Sequence, residues 1–348
     1  MNPYILSTLL FGLGLGTTIT FASSHWLLAW MGLEMSTLAI IPLMAQHHHP
    51  RAVEATTKYF LTQATGAAML LFASTTNAWL TGQWDIQQMS HPLPVTMITL
   101  ALALKMGLAP LHSWLPEVIQ GLDLTTGLVL STWQKLAPFA LLMQVQPANS
   151  TLLITLSLTS TLVGGWGGLN QTQLRKILAY SSIAHLGWML LVVQYSPSLT
   201  LLALVMYLVM TTSTFLVFKL NNSTTINTLA TSWAKAPALT SLTPLVLLSL
   251  GGLPPLTGFM PKWLILQELT KQDLAATATF AALTALLSLY FYLRLSYAMA
   301  LTVSPNNVAG TTPWRLPSLQ NTMPLTMSTT ATLLLLPLTP AATALLTL

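Results

Sequence analysis

Apolar runs of membrane-spanning length follow one another along the whole chain, separated by short polar or proline-rich breaks. A helix needs roughly 20 predominantly apolar residues to cross the hydrocarbon core of a bilayer. On that measure about eleven segments qualify: 3–22, 25–45, 56–81, 95–119, 125–144, 150–169, 176–195, 198–220, 238–269, 275–300 and 323–346. The pattern predicts an all-α polytopic membrane protein with almost nothing left over for a soluble domain. The longest loop, 301–322, is rich in Pro, Asn and Thr.

Two of the segments, 95–119 and 238–269, are interrupted by Gly and Pro, and the interruptions match. One reads Gly107-Leu-Ala-Pro110-Leu-His-Ser-Trp114-Leu-Pro116, the other Gly252-Leu-Pro-Pro255-Leu-Thr-Gly-Phe259-Met-Pro261. Gly, Leu, Pro, Leu, an aromatic residue and Pro recur at the same offsets. Each interrupted segment is the fourth in a group of five, and an odd number of spans gives consecutive groups opposite membrane topology. Broken helices at matching positions of inverted repeats mark many transporter sites. Backbone freed by a break must face protein or a water-filled cavity, because lipid offers it no hydrogen bond. The expected organisation is a five-helix repeat over 1–144, an inverted five-helix repeat over 145–300, and a loop with one final transmembrane helix over 301–348. Chance recurrence of Pro-rich spans is the plain alternative.

Composition narrows the class further. The 348 residues include 12 Lys+Arg and 7 Asp+Glu, a charged fraction of 5%, against roughly 25% in a soluble domain. Hydrophobic residues make up 53% and the mean hydropathy is +0.67. So few charges exclude soluble enzymes, disordered chains and nucleic-acid binders, and the net charge of +5 is too sparse to form a phosphate-binding patch. The absence of cysteine excludes thiolate-ligated iron–sulfur clusters. Residues 1–24 carry neither a basic signal-peptide region nor an Arg-rich amphipathic pattern, which predicts insertion in the compartment of synthesis.

Numbering the loops alternately sorts the basic residues. Arg51, Lys58, Arg175, Lys176, Lys219, Lys235, Arg294 and Arg315 fall on the side of the N-terminus, and Lys271 on the other. Cytoplasm-like compartments collect Lys and Arg, so the N-terminus is expected on the cytoplasmic or matrix side.

The three remaining basic residues and one acid, Glu34, fall inside spans, while Glu54, Asp85, Glu117, Asp123, Glu268 and Asp273 sit in loops or near span ends. Glu34 lies mid-way along the second, Lys105 precedes the first break, Lys135 is central in the fifth, and Lys262 follows the second break. A charge at the bilayer centre costs roughly 2.5–3.5 kcal/mol on insertion scales, so pairing, hydration or function must offset it. Burial disfavours a charged lysine and a nearby carboxylate favours it, which is the requirement for a proton relay. Snorkelling lysines and a satisfied packing glutamate are the alternative. His112 at the first break and His185 in Tyr-Ser-Ser-Ile-Ala-His are further relay candidates. With His25 they do not supply the two facing pairs of a bis-histidine haem. Arg294, among Tyr290, Tyr292 and Tyr297, reads as a snorkelling anchor in an aromatic belt. The His47–His49 run lacks an acidic or Cys partner and reads as a solvated loop, so no metal site is expected. The Gly12–Gly16 and Gly164–Gly168 runs read as small-residue helix-packing surfaces.

Two stretches carry a family resemblance. Lys105-Met-Gly-Leu-Ala-Pro-Leu-His-Ser-Trp-Leu-Pro-Glu117 resembles the broken-helix signature of the antiporter-like subunits of respiratory complex I and of cation/proton antiporter complexes. Arg175-Lys-Ile-Leu-Ala-Tyr-Ser-Ser-Ile-Ala-His185-Leu-Gly is similar to that family's second signature. The resemblance runs from about residue 20 to 300, and this chain lacks the first three of the family's fourteen spans, as the animal, mitochondrially encoded members of one such subunit do. It implies a Glu34–Lys105 pair, a central Lys135, and Lys262 on the second broken helix, with proton translocation along a polar axis that includes the His185 region. It also implies a multi-pass protein of the mitochondrial inner membrane, N-terminus in the matrix and C-terminus in the intermembrane space. The chain itself would bind no cofactor: NAD, FMN, iron–sulfur clusters and ubiquinone would be held by other subunits. Its partners would be the other membrane and accessory subunits of complex I and phospholipids, cardiolipin among them, with no nucleic acid. A stand-alone cation/proton antiporter, using the same charges, is the alternative, and a purely structural subunit is the third reading.

Overall fold

Residues 2–46, 49–89, 91–145, 150–234, 237–301 and 322–347 are described by a computed structural model. His47, His48, Lys235, Arg315 and nearly all of the 301–322 loop lie outside them. The chain forms two compact units, Met1–Thr159 and Ser160–Leu348.

The first unit holds α1 (Pro3–Ala22), α2 (Trp26–Met44), α3 (Pro50–Thr81), α4 (Pro92–Met106), α5 (Trp114–Gly121), α6 (Leu124–Val145) and the start of α7 (Ser150–Gly167). Local chemistry sets several of the starts. Pro occupies the first helical position of α1, α3 and α4, where its missing N–H costs nothing and its fixed φ suits the helix. Asn2 caps α1 by accepting from the Tyr4 N–H at 3.3 Å. His25 Nδ1 does the same for Leu27 at 3.2 Å, and His49 Nδ1 for Arg51 at 3.2 Å. The α1–α2 crossing is made by glycine. A Cβ on Gly16 would lie 2.7 Å from the Gly32 carbonyl oxygen, and one on Gly32 would lie 2.8 Å from that of Gly16. Of the Gly12–Gly16 run, only its last member makes that close approach. Gly14 has nothing within 4 Å.

The second unit holds the rest of α7, then α8 (Leu174–Leu190), α9 (Pro197–Leu220), α10 (Ile226–Ala230) leading into a 3-10 turn, α11 (Pro237–Gly251), α12 (Phe259–Lys271), α13 (Ala275–Leu301), α14 (Met323–Leu334) and α15 (Thr339–Thr347). Its core gathers Tyr207, Phe215, Phe218, Phe291 and Tyr292, all fully buried. Gly164 backs onto Ala184 of α8 and Gly165 onto α13, so this glycine run is a packing surface. Among the described residues no strand forms; two isolated bridges, His25–Asp85 and Gln173–Thr225, tie loops together. Small hydroxyl side chains pervade the helices, and most donate to the carbonyl three or four residues back, as Thr20 does to Thr17 and Ser182 to Ala179. That satisfies a polar group without lipid or water.

Among the described residues four helices are by themselves long and apolar enough to cross a membrane: α1, α2, α9 and α13. The α14/α15 pair, bent by 68°, is a fifth when counted as one span. Other expected spans are helical but are split at glycine or carry buried polar residues, as α3 carries Gln63 and Asn77. The C-terminal element differs from the single final helix expected. Pro337 cannot donate a backbone N–H and its ring collides with the preceding turn, so the helix stops at Leu334, passes through a short 3-10 turn, Leu336–Leu338, and restarts at Thr339.

Candidate functional site

The two breaks have the same hydrogen-bonded geometry. At the first, Gly107 (φ 79°) follows α4, its N–H donating to Leu104 O at 3.1 Å, while the Leu108 N–H donates to Ala103 O at 2.9 Å. At the second, Gly252 (φ 83°) follows α11, with Gly252 N–H to Ser249 O at 2.9 Å and Leu253 N–H to Leu248 O at 3.3 Å. Both are Schellman endings, which need a left-handed residue at the position after the cap, and only glycine adopts it without steric cost. The shared register of the two motifs therefore extends to individual hydrogen bonds.

Carbonyls released by the first break are met by side chains. Trp114 Nε1 donates to Leu104 O at 3.0 Å, Gln63 Nε2 to Lys105 O at 3.4 Å, and Thr159 Oγ1 to Ala109 O at 3.2 Å. His112 sets its Nδ1 3.3 Å from Pro110 O and is half-buried. This is the arrangement that broken backbone inside a membrane requires.

Lys105 and Lys135 are both buried, 5% and 3% exposed. They line one small cavity, with room for about 10 Å³ of water-centre volume, together with Tyr59, Gln63, Trp114 and Gln134. That is about the space of a single water. Glu34, on α2, lies within electrostatic reach of Lys105. Glu34 Oε2 and Lys105 Nζ are each buried, and neither makes a hydrogen bond among the described residues. The expected pair is thus near but not closed into an ion pair. Opposite Lys105 Cγ stands Gly66, where a Cβ would come within 3.1 Å, so the lysine stem packs close against α3 there.

In the second unit, Lys262 Nζ donates to Gly251 O at 2.8 Å, an orphan carbonyl at the end of α11, and lies 6.0 Å from the Trp188 ring centre. A Cβ on Gly252 would come within 2.9 Å of Lys262 Cδ. Each break thus has a glycine making room for a lysine. His185 sits one helical turn before Trp188 on α8, 9% exposed, its ring 5.7 Å from that of Tyr207. Thr257 and Ser249 both donate to Thr332 O of α14, at 2.6 and 3.2 Å.

Sequence reasoning missed the neutral lining of the cavity. Tyr59 and Gln63 stand at i, i+4 on α3, and that spacing of polar groups inside an apolar segment was the available signal. It also left out a second role of Arg294. Tyr290 and Tyr297 are exposed, as a belt requires, and the guanidinium is bonded to backbone. Arg294 Nη1 and Nη2 donate to the carbonyls of Leu169 and Gln171, holding the α7–α8 loop. A hydrogen bond to a charged group contributes about 1.5–3 kcal/mol. Arg294→Ala is therefore expected to destabilise the protein by at least about that amount, read as a lowered melting temperature of the purified assembly. An unchanged melting curve would return Arg294 to the anchor reading.

An all-helical bundle with two matched breaks, each beside a lysine, defines the class of antiporter-like membrane subunits. Comparison with known proteins agrees. The sequence profile described as "NADH:quinone oxidoreductase/Mrp antiporter, TM" matches residues 23–288, and "NADH dehydrogenase subunit 2 C-terminus" matches 289–343. The chain belongs to the NADH:quinone oxidoreductase/Mrp antiporter family. Similar relatives include the "NADH-ubiquinone oxidoreductase chain 2" of Tetraodon nigroviridis, 77% identical over 98% of each chain, and that of Gadus morhua, 73% identical over 100% of each. Among solved structures, a chain of the respiratory complex I of Thermus thermophilus superposes with a TM-score of 0.86 at 28% identity, covering 99% of this chain and 80% of that one. A chain of the Mrp complex from Dietzia gives 0.82 at 15% identity, covering 97% and 76%, a likeness of fold alone.

Proposed function

We infer that the chain works as a membrane-arm subunit of a mitochondrial proton-translocating NADH:ubiquinone oxidoreductase, passing protons through buried Glu, Lys and His side chains while electron transfer runs in other subunits. The 77% and 73% identity to two vertebrate chain 2 proteins supports the assembly. The observation that carries the proton chemistry is the Glu34–Lys105 arrangement: two buried, opposite charges, unbonded to each other, beside a water-sized cavity shared with Lys135. With Glu34 close, its negative charge favours the proton on Lys105. When a neighbouring subunit's motion withdraws that charge, the proton is released toward Lys135. Lys262, held on the Gly251 carbonyl, and the His185 region would serve the same chemistry in the second unit, and His112 remains a candidate at the first break.

In this reading the helices form eleven spans, in two inverted five-helix repeats (1–144 and 145–300) and a C-terminal part (301–348). The N-terminus faces the matrix and the C-terminus the intermembrane space. NAD, FMN, iron–sulfur clusters and ubiquinone belong to partner subunits, and phospholipids cover the outer helix faces.

Glu34→Gln keeps the side-chain shape and removes the charge. Proton translocation in the assembled complex, reconstituted in liposomes, is expected to fall on the order of tenfold, the equivalent of about 1.4 kcal/mol. Wild-type pumping by this variant would overturn the pair's role. Purification distinguishes the assembly from a stand-alone antiporter: the chain is expected to be inactive and unstable apart from its partners, and cation/proton exchange by the isolated chain would reverse the assignment.

A further inference from the structure

The cavity between Lys105 and Lys135 is lined by several neutral hydrogen-bond donors, and nearly all are committed to backbone. Ser36 Oγ donates to Leu33 O at 2.8 Å, and Thr37 Oγ1 to Glu34 O at 2.9 Å. Gln134 Nε2 donates to Ser36 O at 3.1 Å, Gln63 Nε2 to Lys105 O at 3.4 Å, and Trp114 Nε1 to Leu104 O at 3.0 Å. Tyr59 is the remaining neutral donor among the described lining residues. Its side chain is 1% exposed, and its ring packs on Trp114 with centroids 5.8 Å apart. A buried phenol O–H requires a partner, and a hydroxyl both donates and accepts. The cavity admits about one water, with Lys105 and Lys135 among its lining residues.

We propose that Tyr59 is a positioning residue whose hydroxyl fixes a single water between Lys105 and Lys135, so that a proton passes from one amine to the other through it. The assignment rests on the relay reading of the two lysines. In the step, an N–H bond of the Lys105 ammonium breaks as an O–H bond forms on the water. A second O–H bond of that water breaks as an N–H bond forms on the Lys135 amine. One proton moves from Lys105 to Lys135, the water is regenerated, and Tyr59 keeps its own proton throughout. The ring's packing on Trp114, which itself holds the Leu104 carbonyl at the break, ties the water's position to the helix geometry.

Tyr59→Phe keeps the ring and deletes the hydroxyl, whereas Tyr59→Leu removes both. The test uses the assembled complex in liposomes, at equal content of intact complex by native gel, and reads proton translocation in light and heavy water. Both variants are expected to slow translocation about threefold to tenfold, the worth of one hydrogen bond, and Phe should enlarge the solvent isotope effect because proton transfer becomes slower. Wild-type behaviour of Phe with an impaired Leu variant would overturn the proposal in favour of ring packing alone. Wild-type behaviour of both, or a slowed Phe variant with an unchanged isotope effect, would also overturn it. Lys135→Met separates the two levels. If that variant pumps normally, the relay reading itself fails. If it does not pump and Tyr59→Phe pumps normally, only the role of Tyr59 fails. Should Phe prevent assembly, the translocation isotope effect of the wild type decides: a value near one overturns a water-mediated step, and a marked effect supports it.

Discussion

Lys135→Met should abolish proton translocation and leave the protein folded. The two halves of that expectation have different physical origins. Lys135 is 3% exposed on α6 and lines the same small cavity as Lys105. A thioether of similar length fills the space but cannot hold a proton, so an acid–base group is lost outright; such groups are worth about 10²–10⁴-fold in rate. Stability should change far less. A lysine at the centre of a span costs roughly 2.5–3.5 kcal/mol on insertion scales, which offsets part of what is lost with its own contacts, and a side chain of similar length keeps the space filled. The measurement pairs the yield and melting temperature of the assembled complex with protons moved per NADH oxidised. A stable complex that has lost at least about a hundredfold in translocation rate fits the relay. A stable complex that pumps normally removes Lys135 from it, and a complex that fails to assemble identifies the lysine as a structural group.

The charges of the site were legible in the sequence because they are expensive. In a chain with 5% charged residues, Glu34, Lys105, Lys135 and Lys262 stand out against apolar runs. The breaks were legible for a related reason, since Gly and Pro interrupt a helix whatever surrounds it. What stayed hidden are relations across the fold. A tyrosine or glutamine in an apolar segment costs little to place, so beyond the i, i+4 spacing of Tyr59 and Gln63 nothing in the one-dimensional pattern set these residues or Gln134 apart as cavity lining. Arg294 carries the same signature as an interfacial anchor, and only the approach of the Leu169 and Gln171 carbonyls reveals a clamp. Element ends were misplaced where a local cap outweighs hydropathy. The helix α3 starts at Pro50, not at 56, because His49 caps it and proline begins it. The short α10 was missed because five residues capped by the Thr225–Thr228 box have no apolar periodicity to read.

The two breaks match at six of ten motif positions, and one of the four differences carries the second large effect. Where the first has Ser113, the second has Gly258. Its φ of −65° is open to any residue, so glycine is not required there by backbone conformation. It is required by space. A Cβ on Gly258 would run into the backbone carbonyl oxygen of Ser249, with that carbonyl's carbon 2.9 Å away and Met210 Sδ 3.0 Å away. The methionine sulfur can move, but a carbonyl in the last turn of α11 cannot do so without unwinding the Schellman ending that it accepts. Overpacking typically costs 1–3 kcal/mol, and more where backbone must shift. Gly258→Ala is therefore expected to destabilise by at least about 3 kcal/mol and to carry Lys262, four residues on, away from the Gly251 carbonyl. Gly14→Ala provides the matched comparison, since a Cβ at Gly14 meets nothing within 4 Å, and alanine in a helix gains up to about 1 kcal/mol over glycine. Assembled-complex yield and melting temperature, measured side by side, should fall sharply for the first and hold or rise for the second. Equal behaviour would mean that the second break is looser than its geometry indicates, and that Lys262 is free of the constraint that holds it on the end of α11.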